Sequence, residues 1–229
     1  MTLLCIETAT TTCSVALFKD DVLIGKEENY LENIHSKLLT VYIKKILSEN
    51  NLKSGDINYV AVSSGPGSYT GLRIGVSVAK GLCYGLSIPL IMIPTTESLA
   101  NGCKKNSPVA KNDLICGMID ARRMEVYQGF YNSDLNLIGE IEPHIITENS
   151  YLQILEEKTV WFCGNGTLKL QHIANSKNAC ILKDMPISAE FLLEPAKFKI
   201  KNQIFADVAY DEPLYLKEFV AKEAKTVLK

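Results

Sequence analysis

The apolar positions of this chain follow two periods, and the changes of period mark its elements. Residues 3–7 are a continuous apolar run closed by Glu7 and read as a buried strand; 14–18 read as its antiparallel neighbour across a polar turn over 8–13. Lys19, Asp20 and Asp21 make a tight connection into a third strand over 22–27, so the chain opens on a three-stranded meander. From 36 to 51 the period becomes helical, with Leu38, Leu39, Tyr42, Ile43, Ile46 and Leu47 on one side and Lys37, Lys44, Lys45 and Glu49 elsewhere. Ser36 is placed to cap that helix at its start. A strand over 59–62 runs into a glycine turn over 63–71, and a helix over 72–86 comes next. A strand over 88–93 ends this half, confined by Pro89 to an edge or entry position.

The helix over 72–86 carries more apolar surface than one sheet can cover. Arg73, Ser77, Lys80 and Tyr84 line up as a narrow polar stripe, and nearly everything else is apolar or glycine. The surplus, with Gly71, Gly75, Leu82 and Leu86, requires a second cover, and small residues four apart let another helix come close. That cover is either a second helix of the same chain or a partner protein.

After a polar stretch over 104–113, read as a linker, the opening pattern returns. Ile119-Asp120-Ala121 matches Ile6-Glu7-Thr8, Glu125-Val126-Tyr127 matches Ser14-Val15-Ala16, and Leu137-Ile138-Gly139 matches Leu23-Ile24-Gly25, at an offset of about 112 residues. A short helix over 150–157, a strand over 160–163, a helix over 167–175, a strand over 179–182 and a helical segment over 189–194 then repeat the order of the first half. Residues 207–216 read as extended, and 217–229 as a lysine-rich helix or tail with a solvated face. The expectation is an α/β protein of two tandem subdomains, 1–103 and 104–229. Each is a mixed five-stranded sheet with an antiparallel meander and flanking helices, and the C-terminal tail is available to pack back on the first.

Composition narrows the functions open to such a fold. The 229 residues, 47% of them hydrophobic, supply real cores. A net charge of -2 argues against unaided binding of nucleic acid, because affinity for phosphate is supplied largely by clustered Lys and Arg. With no basic region at the amino terminus and no apolar run of membrane-spanning length, a cytosolic protein is expected. The seven cysteines form no Cys-x-x-Cys pair and several sit in apolar runs, so reduced thiols acting as small hydrophobes are expected.

Candidate chemistry is thin. The glycine turn fits no named phosphate loop. Gly71 is followed by Leu72 and Arg73 where a P-loop needs Lys and then Ser or Thr, and Thr70 stands where the dinucleotide fingerprint needs its third glycine. Glu7, Thr8, Thr10, Thr11 and Thr12 form a turn that either wraps a phosphate or satisfies its own backbone. Gly164 and Gly166, between a strand and a helix, either seat an adenine or turn the chain. His35 has no second histidine at i+4 and no carboxylate at ligand spacing, and reads as a helix-start or interface residue.

The doubled meander with alternating helices and strands resembles the actin, Hsp70 and sugar-kinase superfamily, and five segments resemble one family within it. They are Ile6-Glu7-Thr8-Ala9-Thr10, His35-Ser36 with Leu38-Leu39, Gly65-Pro66-Gly67-Ser68-Tyr69-Thr70-Gly71-Leu72-Arg73-Ile74-Gly75, Ile119-Asp120-Ala121-Arg122-x-x-Glu125-Val126-Tyr127, and Pro213-Leu214-Tyr215-Leu216-Lys217. In order and along nearly the whole chain they resemble the TsaB family of bacterial tRNA threonylcarbamoyladenosine biosynthesis proteins.

That resemblance implies two actin-like (ribonuclease H-like) subdomains and a role in modifying the adenosine beside the anticodon of tRNAs that read codons beginning with A. It implies a non-catalytic scaffold that activates a catalytic paralogue, TsaD, with the ATPase TsaE joining the pair and tRNA met only through the complex. The paralogue holds its metal through a histidine pair; His35, His144 and His172 are scattered here, so no metal is expected. Nucleotide-binding members of the superfamily usually begin with an aspartate where this chain has Glu7, with Asp120 at the matching place in the second half. At most a relict ATP or ADP site is implied, its remnants being Glu7, Thr8, Thr10, Asp120, Gly164 and Gly166.

The partner surface is expected on two helices: His35, Ser36, Leu39, Tyr42, Ile43 and Ile46 on the first, and Leu72, Arg73, Ile74, Gly75, Val78, Ala79 and Leu82 on the second. Without a partner, the same helices are expected to pair in a twofold homodimer. The competing reading is an enzyme, either an ATP-dependent phosphotransferase of the superfamily or a glycoprotease-like peptidase. No serine or cysteine nucleophile sits in a recognisable motif for the second of these.

Overall fold

In this computed structural model, which describes residues 1–31, 34–183 and 185–217, one strand plan is used twice. The first sheet contains β1 (Thr2–Glu7), β2 (Cys13–Lys19), β3 (Val22–Asn29), β4 (Tyr59–Gly65) and β5 (Leu90–Pro94), in the spatial order β3-β2-β1-β4-β5. The first three strands form the antiparallel meander expected, and β4 and β5 run parallel to β1, so that Cys5 lies between Ala16 and Ala61. Both faces of β1 are covered, which is why its six residues form a buried run rather than an alternation. The second sheet contains β6 (Leu114–Asp120), β7 (Glu125–Asn132), β8 (Leu137–Ile145), β9 (Val160–Cys163) and β10 (Ala179–Leu182), in the order β10-β9-β6-β7-β8. Read from the other edge, this is the same sequence of meander and parallel strands.

Helices α1 (His35–Glu49) and α2 (Tyr69–Leu86) cover one face of the first sheet. Leu39, Ile43 and Ile46 of α1 share a core with Val76, Ala79 and Cys83 of α2 and with Ile6, Val15 and Val62 of the strands. Of the surplus face of α2, Leu82 packs against the edge of this core, while Gly71 and Gly75 lie against Thr8. Two helix starts differ from expectation. The backbone of Ile34 precedes α1 with no side-chain cap, and Ser36 lies inside the first turn. The second helix begins at Tyr69 rather than 72, because the Ser68 hydroxyl accepts from the Gly71 amide at 3.3 Å and starts it earlier.

The polar reading of 104–113 as linker gives way to a helix in its first part. α3 (Thr95–Asn106) comes after β5 and lays Leu99, Ala100 and Cys103 on Ile115 and Ile119 of the second sheet. Its Thr, Ser, Asn and Gly residues hid the helical period: Asn101 donates to the carbonyl of Phe191 at 2.7 Å, and Gly102 lies against the Phe191 ring. In the second half, α4 (Leu152–Glu157) is shorter than its expected range. The helix expected over 167–175 is two 3-10 turns, Asn165–Lys169 and Gln171–Ile173. The helical segment at 189 is a 3-10 turn, Ala189–Leu192, that continues as α5 (Leu193–Lys201). This segment returns to the first sheet and packs Ala189, Leu192 and Ala196 on Leu3, Cys5 and Ala61. Residues 207–216 form no strand; the extended pairing there is a single bridge between Ala206 and Leu90. Of the lysine-rich end expected over 217–229, the part beyond Lys217 lies outside the described residues.

Candidate functional site

The first strand delivers Glu7 to a closed position. Its Oε1 accepts from the Ala9 amide at 2.7 Å and from the Ser63 hydroxyl at 2.8 Å, while Oε2 is buried without a partner. Burial pushes the carboxyl up from its ordinary 4.5 to about 7, against the opposing pull of the hydrogen bonds from Ala9, Ser63 and Thr8. The roof over this turn is the start of α2. The Thr8 hydroxyl donates to the Gly71 carbonyl at 2.8 Å, and the Ser68 amide donates to the carbonyl of Ala9. A β-carbon at Gly71 would stand 2.1 Å from the Thr8 carbonyl oxygen, and one at Gly75 would stand 2.1 Å from the Thr8 hydroxyl. Thr10 accepts from the Thr12 amide at 3.3 Å. The Thr8 and Thr10 hydroxyls thus bond within the chain, and glycine is needed where helix and turn touch.

The matching turn of the second half is open. Asp120 is exposed, and its Oδ1 accepts from the Arg122 amide at 2.6 Å and from the Lys169 ammonium at 2.7 Å. Gly164 abuts the Met118 carbonyl and Leu99, and Gly166 abuts Met118 and Val126. The space beside both glycines is filled by the chain. At both glycines the place a side chain would take is occupied, and Glu7 is buried beside the start of α2. Among the described residues, no group of three or more His, Cys, Asp or Glu is placed to hold a metal ion.

Residues 213–217 tie the two halves together. The Leu214 amide donates to the Ser64 carbonyl at 2.7 Å. The Tyr215 ring lies 5.1 Å from that of Tyr69, and its hydroxyl accepts from Arg73 Nε at 3.2 Å. Lys217 pairs with Glu125 of β7.

Comparison with known proteins gives these features a context. The family model for "TsaD: tRNA N6-adenosine threonylcarbamoyltransferase" matches residues 30–227. The tRNA threonylcarbamoyladenosine biosynthesis protein TsaB of Escherichia coli (strain K12) is 32% identical over 235 residues, covering 96% of each chain. Its namesake in Bacillus subtilis (strain 168) is 34% identical over 171 residues, 73% of this chain and 72% of that one. This chain belongs to the TsaB family. YeaZ from Pseudomonas aeruginosa, at 24% identity, has the same fold, with a TM-score of 0.81 over 94% of this chain and 99% of that one.

The helix pair expected to serve this TsaB-family chain as a partner surface divides into buried and open parts. His35, Leu39, Ile43, Ile46, Leu72, Gly75 and Ala79 are buried within the chain and can only shape a surface. His35 Nε2 donates to the Thr12 carbonyl at 3.1 Å, tying α1 to the first turn. Tyr42, Ile74, Val78 and Leu82 are half-buried and, with Leu38, present apolar area outward; Ser36 and Arg73 are exposed. Arg73 lies over the Tyr69 ring, 4.0 Å from its centre. Sequence reasoning missed Val41, 53% exposed on the outer side of α1, and missed Ser63 and Lys169, the partners of Glu7 and Asp120. Helical spacing would have found the first. The other two lie 56 and 49 residues from their acids, and no local pattern links them.

Proposed function

We propose that this chain is a non-catalytic subunit in tRNA threonylcarbamoyladenosine biosynthesis, pairing through α1 and α2 with a TsaD-type catalytic paralogue. The observation that carries the reading is the half-buried apolar row of Ile74, Val78 and Leu82 beside Leu38 and Tyr42, a face that the chain's own fold leaves partly uncovered. Family membership supports the pathway. The shape of the site supports the scaffold role: Glu7 is sealed, Asp120 is engaged by Lys169, and His35, His144 and His172 are each hydrogen-bonded within the chain. A TsaE-type ATPase joins the pair, tRNA is met through the assembled complex, and the protein works in the cytosol. In the absence of the paralogue, the same face closes weakly on a second copy.

The test is copurification. Ile74→Asp, which places a charge on the open row, is expected to abolish recovery of the TsaD-type protein of the same organism, while far-UV circular dichroism and monomer size stay unchanged. A complex that survives this substitution overturns the reading.

A further inference from the structure

The two halves are joined by contacts of two kinds. One kind is buried: the Ser14 and Ser188 hydroxyls both donate to Glu28, the Ala189 amide donates to the Ser14 hydroxyl at 2.9 Å, and Ala189, Leu192 and Ala196 enter the core on the first sheet. The other is the segment over 213–217, in which no residue is buried. Its base is fixed. The Ala206 amide donates to the Leu90 carbonyl at 2.8 Å, and Asp207 closes the next turn by accepting from the Ala209 amide at 2.7 Å and the Tyr210 amide at 3.1 Å. Beyond that turn the hold is slight. Among the described residues, 212–217 make one backbone-to-backbone hydrogen bond, from the Leu214 amide to the Ser64 carbonyl at 2.7 Å. It lays the Leu214 carbonyl on Gly65, where a β-carbon would stand 2.8 Å from that oxygen, and Ser64 and Gly65 are buried. The remaining ties are side chains: Tyr215 on Tyr69 and Arg73, and Lys217 on Glu125 and, at 5.9 Å, the Tyr127 ring.

We infer that residues 213–217 are a releasable clasp between the halves, hinged just beyond Asp211, whose opening uncovers the glycine turn at Ser64 and Gly65 while the buried join stays closed. The contrast between the two joins carries this. A segment with few buried contacts and exposed ties opens at a lower free energy than the core it lies on. The Lys217 side chain is 41% exposed, so water screens its ion pair, and such pairs hold weakly. The turn at Asp207 keeps the released segment close to its seat, so closing again needs no search. Three segments singled out in the sequence, 65–75, 119–127 and 213–217, meet at this clasp.

Hydrogen exchange of the full chain, read by mass spectrometry, tests the clasp at two places: the peptide holding Leu214 and the peptide holding Ser64 to Ser68. Lys217→Glu, which sets like charges against each other, should speed exchange at both roughly threefold, and adding Tyr215→Ala should raise this to roughly tenfold. Lys217→Arg keeps the charge and should stay at the parent rate. Peptides of β1 and β6 should be unchanged in every variant, because the buried join does not open. Exchange at the parent rate in the double variant shows a passive tail and overturns the clasp. Faster exchange at Leu214 alone overturns it as well, since the segment then frays without covering the glycine turn. Faster exchange throughout, β1 and β6 included, with a lowered melting temperature, places 213–217 in the cooperative fold and also overturns it. Equal effects of Lys217→Arg and Lys217→Glu remove the ion pair with Glu125 from the clasp and overturn it as drawn.

Discussion

The strand-end turn is built twice, at Glu7 and at Asp120, and the two copies sit in opposite surroundings. Glu7 has no exposed surface and one carboxyl oxygen without a partner; Asp120 is open to solvent and neutralised by Lys169. The strands that deliver them match in order and direction, so the difference arises beyond the next parallel strand. After β4 the chain winds the 18 residues of α2, whose glycine-bearing start presses on Thr8 and seals the turn. After β9 it makes two short 3-10 turns, Asn165–Lys169 and Gln171–Ile173, which leave the acid uncovered, and the first supplies a lysine instead. The sheets kept the repeat while the helices diverged. The half with the long helices is also the half with the open apolar row.

Glu7→Gln should break the comparison most strongly. The folded pKa of Glu7, about 7, lies above its ordinary 4.5, so between those values the folded state binds more protons than the unfolded one. This group's contribution is fully present below pH 4.5 and is lost as pH rises through 7. With the whole shift expressed at pH 8, the ionised carboxylate costs about 3 kcal/mol. Glutamine keeps an acceptor for the Ala9 amide and the Ser63 hydroxyl and carries no charge. The stability difference between variant and parent, from urea unfolding, should therefore move in the variant's favour by about 3 kcal/mol between pH 4.5 and 8. A difference that stays flat with pH would mean that Glu7 is not sealed, and that the two turns are alike.

That environment could not be read from the sequence, although the strands around it could. Apolar runs at 3–7, 14–18 and 59–62 are buried on both faces, and such runs announce themselves without context. The helical wheel of α2 gave a polar stripe of Arg73, Ser77, Lys80 and Tyr84, of which Lys80 is half-buried and the other three are exposed. The same wheel was silent on what covers the rest. Thr8 covers Gly71 and Gly75, Val76 and Ala79 enter a core shared with α1 and the strands, and Ile74 and Val78 stay half-open; those assignments come from elements tens of residues apart. α3 was missed because its buried face mixes Leu99 and Cys103 with Thr95, Ser98 and Asn101. A helix buried against two neighbours need not alternate apolar with polar.

Next in size is the roof itself. Gly71→Ala would place a β-carbon 2.1 Å from the Thr8 carbonyl oxygen, so α2 must lift or the turn must shift. Overpacking of this kind costs about 2 kcal/mol, or roughly 4–8 °C in melting temperature for a chain of this size. The control lies on the same helix. A β-carbon at Gly81 would meet nothing within 4 Å, and Gly81→Ala should stabilise by about 1 kcal/mol through helix propensity. Equal melting temperatures for the two alanine variants would show that contact with the turn does not hold the start of α2.

The smallest effect belongs to the open turn, and its smallness sharpens the contrast. Asp120→Asn removes an ion pair with Lys169 but leaves an oxygen for the Arg122 amide, and Lys169 keeps its 2.6 Å bond to the Glu125 carbonyl. The aspartate side chain is 41% exposed, so water screens the lost attraction and the cost should be about 0.5 kcal/mol. Raising NaCl should shrink it further, because only the Coulomb part differs between Asp and Asn. Urea unfolding of the parent and the variant at low and high salt would measure both quantities. A loss of about 2 kcal/mol or more that salt does not reduce would mean that Asp120, like Glu7, is held in a closed environment.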